Sequence, residues 1–253
     1  MSRIPNVSLS NGVLMPAAVF GVYQIRDLKE CQKAVEDAIA AGYRAIDTAA
    51  SYGNEAAVGH AIKACGLDRR ELFITTKLWV EDASEEGARR AIDRSLDLLG
   101  LDYLDLYLIH QPVGDVYGAW RTMQSFYQNK ILRAIGVSNF ASDRFIDFAH
   151  HNAICPHVNQ IEINPFCQQQ EALPILNKFG TTPVAWAPFA EGKNNLSRIR
   201  RLRALLIVMN ARWARSCCVT STNLALLSLP KPFVPNAWSR TSTFLISSLK
   251  RTT

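Results

Sequence analysis

The stretch Ala45-Ile46-Asp47-Thr48-Ala49-Ala50-Ser51-Tyr52-Gly53-Asn54-Glu55 sets a carboxylate and a phenol five residues apart, where a short apolar run gives way to a helical pattern. Two later charges stand in the same place relative to their own apolar runs. Lys77 closes Leu72-Phe73-Ile74-Thr75-Thr76, and His110 closes Leu104-Asp105-Leu106-Tyr107-Leu108-Ile109. Three successive strands would then deliver polar groups at their carboxyl ends, which is where barrels of alternating strands and helices keep their active sites. Asp47, Tyr52, Lys77 and His110 are expected to converge on one mouth.

Working outward, Val7 to Pro16 reads as a hairpin with Asn11-Gly12 as its turn, placed to plug the bottom of a barrel. Strands are expected at Ala18 to Val22, Ala45 to Thr48, Leu72 to Lys77, Tyr103 to His110, Ala134 to Val137, His157 to Ile161 and Thr182 to Ala187. Helices are expected at Leu28 to Ala41, Asn54 to Cys65, Ser84 to Leu99, Val116 to Asn129, Ser142 to His150 and Gln169 to Phe179. Strand and helix alternate at roughly 25 to 30 residues, as a parallel sheet covered by helices requires. No G-x-G-x-x-G turn occurs, so the pattern favours a closed barrel over an open dinucleotide-binding sheet. The expected fold is an α/β (β/α)8 TIM-type barrel, intact through about seven strands, with an aberrant C-terminal part.

Of 253 residues 48% are apolar, ample for a core. No run of eighteen apolar residues and no basic-then-apolar leader appears, so no membrane is implied and the chain is read as cytoplasmic and monomeric. The six cysteines, Cys31, Cys65, Cys155, Cys167, Cys217 and Cys218, lack metal-ligand spacing and are read as reduced thiols; no metal is expected. The formal charge of +6 is uneven. Residues 196 to 253 hold ten Lys and Arg and no Asp or Glu, which leaves 18 basic against 22 acidic residues before them. The cluster Arg198, Arg200, Arg201 and Arg203 lacks aromatic interleaving, so no nucleic acid partner is expected.

The chain resembles the aldo-keto reductases, in particular the bacterial 2,5-diketo-D-gluconate reductase group, from about Val7 to Asn195. The segments that carry the resemblance are Gly42 to Ala49 (GYRAIDTA), Ile74 to Trp79 (ITTKLW), Leu104 to Pro112 (LDLYLIHQP), Ile135 to Phe140 (IGVSNF) and Asn159 to Glu162 (NQIE). The resemblance implies reduction of aldehyde or ketone carbonyls with NADPH, on small sugar-derived or dicarbonyl compounds. It assigns Tyr52 as proton donor, Lys77 as the cation that lowers the phenol pKa, and Asp47 as the group that holds Lys77 and keeps it charged. His110 is implied to orient the carbonyl oxygen. Ser138, Asn139 and Gln160 are implied to hold the nicotinamide carboxamide, Trp186 to stack on its ring, and Tyr23 and Trp79 to wall the substrate pocket. The chemistry agrees, because a free phenol, with a pKa near ~10, is a sluggish donor at neutral pH.

Taken singly, a strand-end Asp most often caps a helix, and Tyr52, Trp79 or His110 most often pack in a core. It is their conjunction that points to catalysis. A hydrolase using Asp47 and Glu162 is the weaker rival, since the Tyr–Lys pairing has no part in two-carboxylate hydrolysis. After Gly192 the resemblance lacks its last helix, eighth strand and phosphate-binding segment. Codons for Lys231 to Ser247 permit another frame reading TVRPERMVENFDVFDF, and those for Ala211 to Val219 permit SVAQVVLR, both similar to the missing parts. The expectation is a reductase barrel over 1–195 and an out-of-frame basic tail over 196–253, with a frameshift near 193–197. A further rival is therefore a catalytically impaired chain lacking the adenosine-phosphate site. The two sheet edges would then be left unpaired.

Overall fold

The computed structural model describes residues 4–188, 190, 191 and 217–220. Seven strands run parallel and in chain order around the sheet: β3 (Ala18–Gly21), β4 (Ala45–Asp47), β5 (Phe73–Leu78), β6 (Leu106–Ile109), β7 (Ile135–Ser138), β8 (Val158–Glu162) and β9 (Thr182–Trp186). Helices follow them: α1 (Leu28–Ala40) after β3, α2 (Glu55–Ala64) after β4, α3 (Glu85–Leu99) after β5, α4 (Val116–Gln128) after β6, α5 (Ser142–His150) after β7 and α6 (Ala172–Lys178) after β8. Side-chain oxygens fix three helix starts: Asp27 accepts from Glu30 N, Ser84 from Gly87 N and Asp115 from Gly118 N. Each such cap is worth about 1 kcal/mol.

The period-two alternation of the strands sorts their side chains into two cores. Facing the helices, Phe20, Ile46, Ile74, Tyr107, Ile109 and Val137 pack with Val35, Val58, Ile92, Trp120, Phe145 and Phe148. Inside the barrel lie Val19, Ala45, Phe73, Leu106, Leu108, Ala134, Val158 and Val184. The interior is tight: a Cβ on Gly136 would stand 2.5 Å from Val158 O and 2.8 Å from a Leu108 methyl. From below, the antiparallel hairpin of β1 (Asn6–Ser8) and β2 (Leu14–Pro16) adds Leu9 and Met15 to this inner cluster. It is the expected plug. Its turn differs from the expected one in that only Gly12, at φ +81°, takes the left-handed region, and Asn11 does not.

Two elements are shorter than the sequence pattern predicts. β6 begins at Leu106 and not at Tyr103: ahead of it Leu104 pairs with Leu132 only as an isolated bridge, and the Asp105 carboxylate is taken up by Arg69, Arg133 and the Ile74 amide. α6 begins at Ala172, since Gln169 has φ +52° and cannot lie in a right-handed helix.

The expectation of two unpaired edges is overturned. β10 (Cys217–Thr220) lies antiparallel between β3 and β9, with Cys217 opposite Phe20 and Val219 opposite Ala185, and closes the barrel. Open edges present rows of unpaired N–H and C=O groups, and any extended segment satisfies them whatever its side-chain pattern. The remainder of the expected tail and the frameshift region at 193–197 lie outside the described residues.

Candidate active site

The inward-facing register of each strand, carried to its carboxyl end, places one polar layer above the apolar interior. On β4 the layer is Asp47 above Ala45; on β5 it is Lys77 above Phe73 and Thr75; beyond β6 it is His110 above Leu108. Ser138, Gln160 and Trp186 hold the same register on β7, β8 and β9. Residue type and strand parity together make the site.

Lys77 is wholly buried, and its ammonium pairs with Asp47 and donates to Thr48 O at 2.9 Å. The second Asp47 oxygen accepts from Gln160 Nε2 at 2.9 Å. A buried ammonium is tolerable only with such partners. Tyr52 sits on the single turn Ala50–Tyr52 that follows β4, and Lys77 Nζ lies 5.1 Å from the centre of its ring. The Tyr52 ring is bordered by the rings of Tyr23 (5.0 Å) and His110 (5.7 Å), and Trp79 meets His110 edge-on at 5.2 Å. Burial and, after it, the Lys77 charge push the His110 imidazole down to about 3, so at neutral pH it is uncharged. Its Nδ1 lies 3.3 Å from Ser51 Oγ.

Beside this cluster, Asn139 has φ +63° and its amide donates to His110 O (3.1 Å) and Ser138 Oγ (3.2 Å). Its oxygen accepts from Trp186 Nε1 at 2.8 Å. Ser138 Oγ donates to Gln160 O at 2.9 Å. All ten residues expected from the sequence therefore lie at one mouth, on the strands or on the segments that follow them. Within it, the Gln160 amide is bonded to the Asp47–Lys77 pair, and Ser138, Asn139 and Trp186 form the neighbouring group. A hydroxyl, two amides and an indole are the kinds of group that suit a carboxamide-bearing aromatic ring; here their hydrogen bonds run to one another, to Asp47 and to the His110 carbonyl. The part of the chain after Gly192, where the resemblance lacks its phosphate-binding segment, lies outside the described residues apart from 217–220.

Beyond Trp186 a cavity of about 320 Å³ is lined by Glu162, Asn164, Phe166, Cys167, Ala190 and Glu191. Glu162 lines this cavity, and both Asp47 oxygens are engaged by Lys77 and Gln160, so Asp47 serves the lysine pairing and not one half of a two-carboxylate pair. Among the described residues no group of three His, Cys, Asp or Glu is placed to hold a metal, and no helix is long and apolar enough to cross a membrane. Sequence reading missed Ser51 and Asn54, although both stand in the stretch that decides the fold. Nothing local marks them, because their partners come from other parts of the chain.

The model of the Aldo/keto reductase family matches residues 18–203. Glyoxal reductase of Bacillus subtilis (strain 168) is 44% identical over 188 residues, which are 74% of this chain and 68% of that protein. Methylglyoxal reductase DkgA of Yersinia pestis is 37% identical over 238 residues, 93% of this chain and 85% of that protein. The crystal structure of Bombyx mori aldo-keto reductase in complex with NADP superposes with a TM-score of 0.75 at 34% identity, covering 83% of this chain and 77% of that one. The barrel, the polar layer at its mouth and these likenesses agree: the chain belongs to the aldo/keto reductase family, oxidoreductases that act on small-molecule carbonyls with NAD(P)H.

Proposed function

We propose that this protein reduces aldehyde or ketone carbonyls with NADPH, with small dicarbonyl or sugar-derived compounds as substrates and Tyr52 as proton donor. The observation that carries the reading is the sealed Lys77 ammonium beside the Tyr52 ring. NADPH, when bound, supplies the hydride that adds to the carbonyl carbon; Ser138, Asn139 and Trp186 are the residues to hold its nicotinamide end, with Gln160 next to them. Tyr52 gives its phenolic proton to the carbonyl oxygen. Lys77 favours the phenolate left behind, and Asp47 holds the ammonium in place. His110, uncharged, keeps one ring N–H for the carbonyl oxygen when Ser51 donates to Nδ1. Tyr23 and Trp79 screen the reacting atoms from water. The dicarbonyl class is supported by relatives named for glyoxal and methylglyoxal.

The test is methylglyoxal reduction followed by NADPH consumption. Removing a positioned general acid is expected to slow Tyr52→Phe by about 10²- to 10⁴-fold, with NADPH affinity held within about twofold. Near-parental turnover by that variant refutes the assignment.

We also infer that 196–253 is an out-of-frame tail on a reductase barrel of residues 1–195. The absence of acidic residues after 196 and the end of the family match at 203 support this, while the Yersinia relative's longer match weighs against it. A frame-restored chain is expected to bind NADPH about a hundredfold more tightly, two charge-assisted phosphate contacts being regained. Equal affinity in a fluorescence titration overturns that inference.

A further inference from the structure

The turn after β3 runs Val22-Tyr23-Gln24-Ile25, closed by a hydrogen bond from Ile25 N to Val22 O at 3.2 Å. Gln24 holds φ +69° in it, a region in which a residue with a Cβ is strained and glycine is preferred. Tyr23 stands at the corner, 57% exposed, with its ring 5.0 Å from that of Tyr52. Something must hold this turn in its unfavourable geometry.

Asn54 does so. It is 1% exposed, and both hydrogens of its side-chain amide are spent on the turn, one on Val22 O (3.1 Å) and one on Ile25 O (3.2 Å), the carbonyls of the turn's first and last residues. Its amide oxygen accepts from Thr48 Oγ1 at 2.7 Å, and the carbonyl of that same Thr48 receives Lys77 Nζ. An asparagine at the N-cap of a helix is ordinarily there to cap it. Here Asn54 precedes α2 yet makes no side-chain cap bond, so capping does not account for the residue.

We infer that Asn54 is a positioning and specificity-determining residue: it clamps the turn that sets Tyr23 against the proton-donor ring, ties that turn to the peptide that cradles Lys77, and so fixes the width of the slot for the carbonyl's substituent. The assignment of the slot rests on the proposed reductase reading; the clamp itself does not.

The test uses the full chain. Asn54→Ser loses both donations to the turn while giving α2 a good cap, which protects folding. With methylglyoxal and NADPH, its KM for the carbonyl rises about tenfold and kcat stays within about threefold of the parent. Adding Gln24→Gly, which accepts the positive φ without a clamp, restores most of the KM. An unchanged KM in Asn54→Ser, or a joint fall of kcat and KM that Gln24→Gly does not rescue, overturns the inference.

A second measurement needs no turnover. In the chain with ¹³C-labelled tyrosine rings, NMR cross-relaxation between Tyr23 and Tyr52, assigned with the two Tyr→Phe variants, disappears in Asn54→Ser and returns in the double variant. Persistence of that contact in Asn54→Ser refutes the clamp. Should the parent reduce no carbonyl, the reductase reading falls alone and the ring contact still decides the role of Asn54.

Discussion

Asp105, just ahead of β6 at the amino-terminal end of the barrel, and Asp47, at the carboxyl-terminal end of β4, are buried carboxylates with cationic partners in different settings. Asp105 receives two guanidinium groups, Arg69 at 2.7 Å and Arg133 at 2.5 Å, together with the Ile74 amide. Those arginines keep 19% and 42% of their side chains in solvent, so the excess positive charge is vented to water. Asp47 has one cation, Lys77, and that cation has no exposed surface at all. At the bottom the pairing ties loops together. At the mouth the field of a sealed ammonium is confined beside a phenol, and low-dielectric surroundings make it strong. Similar pairs thus tie loops together at one end and place a buried charge beside a phenol at the other, in line with the division between the stabilising and the functional face of such barrels.

The comparison breaks most visibly at Lys77. Lys77→Met is expected to lower carbonyl reduction by about 10²- to 10⁴-fold and to move any residual alcohol oxidation, which needs the phenolate as base, to higher pH. Steady-state rates across pH check this, and a parental profile would mean that the cation does not act on Tyr52. Asp105→Ala should do the opposite. Two guanidinium groups lose their counter-charge and the Ile74 amide its acceptor, at about 3 kcal/mol, the low end for a broken buried pair because both arginines reach solvent. Denaturant unfolding reads the loss, while the pH–rate profile of the folded protein stays as in the parent.

The smallest effect sharpens the contrast through acid. His110 has a folded value of about 3 against an ordinary 6.5, so between those values the unfolded chain binds the proton more readily, and stability falls as pH drops through that window. For such a group the loss at pH 5 is about 2 kcal/mol. His110→Phe is expected to remove that part, while the part from His157, also lowered by burial, stays. Unfolding midpoints at pH 7 and pH 5 provide the check, and an unchanged difference between them refutes the attribution.

The parts of this molecule that the sequence displayed are those whose causes are local. Ser84 and the apolar spacing after it give α3 to within a residue, and the parity of Ala45–Asp47 or Leu106–His110 already says which side chains face inward. The polar layer at the mouth was legible because its residues close short apolar runs and stand in the segments that carry the family resemblance. What could not be read has distant causes. Asn54 looks like a helix cap until the turn after β3 is folded against it. The indole bond from Trp186 to Asn139 joins the ends of β9 and β7 across the intervening β8. The strand Cys217–Thr220 has no alternation to announce it, because its place is decided by backbone groups on β3 and β9.

That last strand also sets an order of events during synthesis. β3 is among the first parts of the chain to be made, and β10, which must pair with it, comes after every other strand described here. At about 5–20 residues per second, translating the stretch between Trp186 and Cys217 adds a few seconds during which the nascent sheet is an open gutter with two sticky rims. The wait falls on the ribosome, and any extended segment that reaches those rims first can take the place of β10.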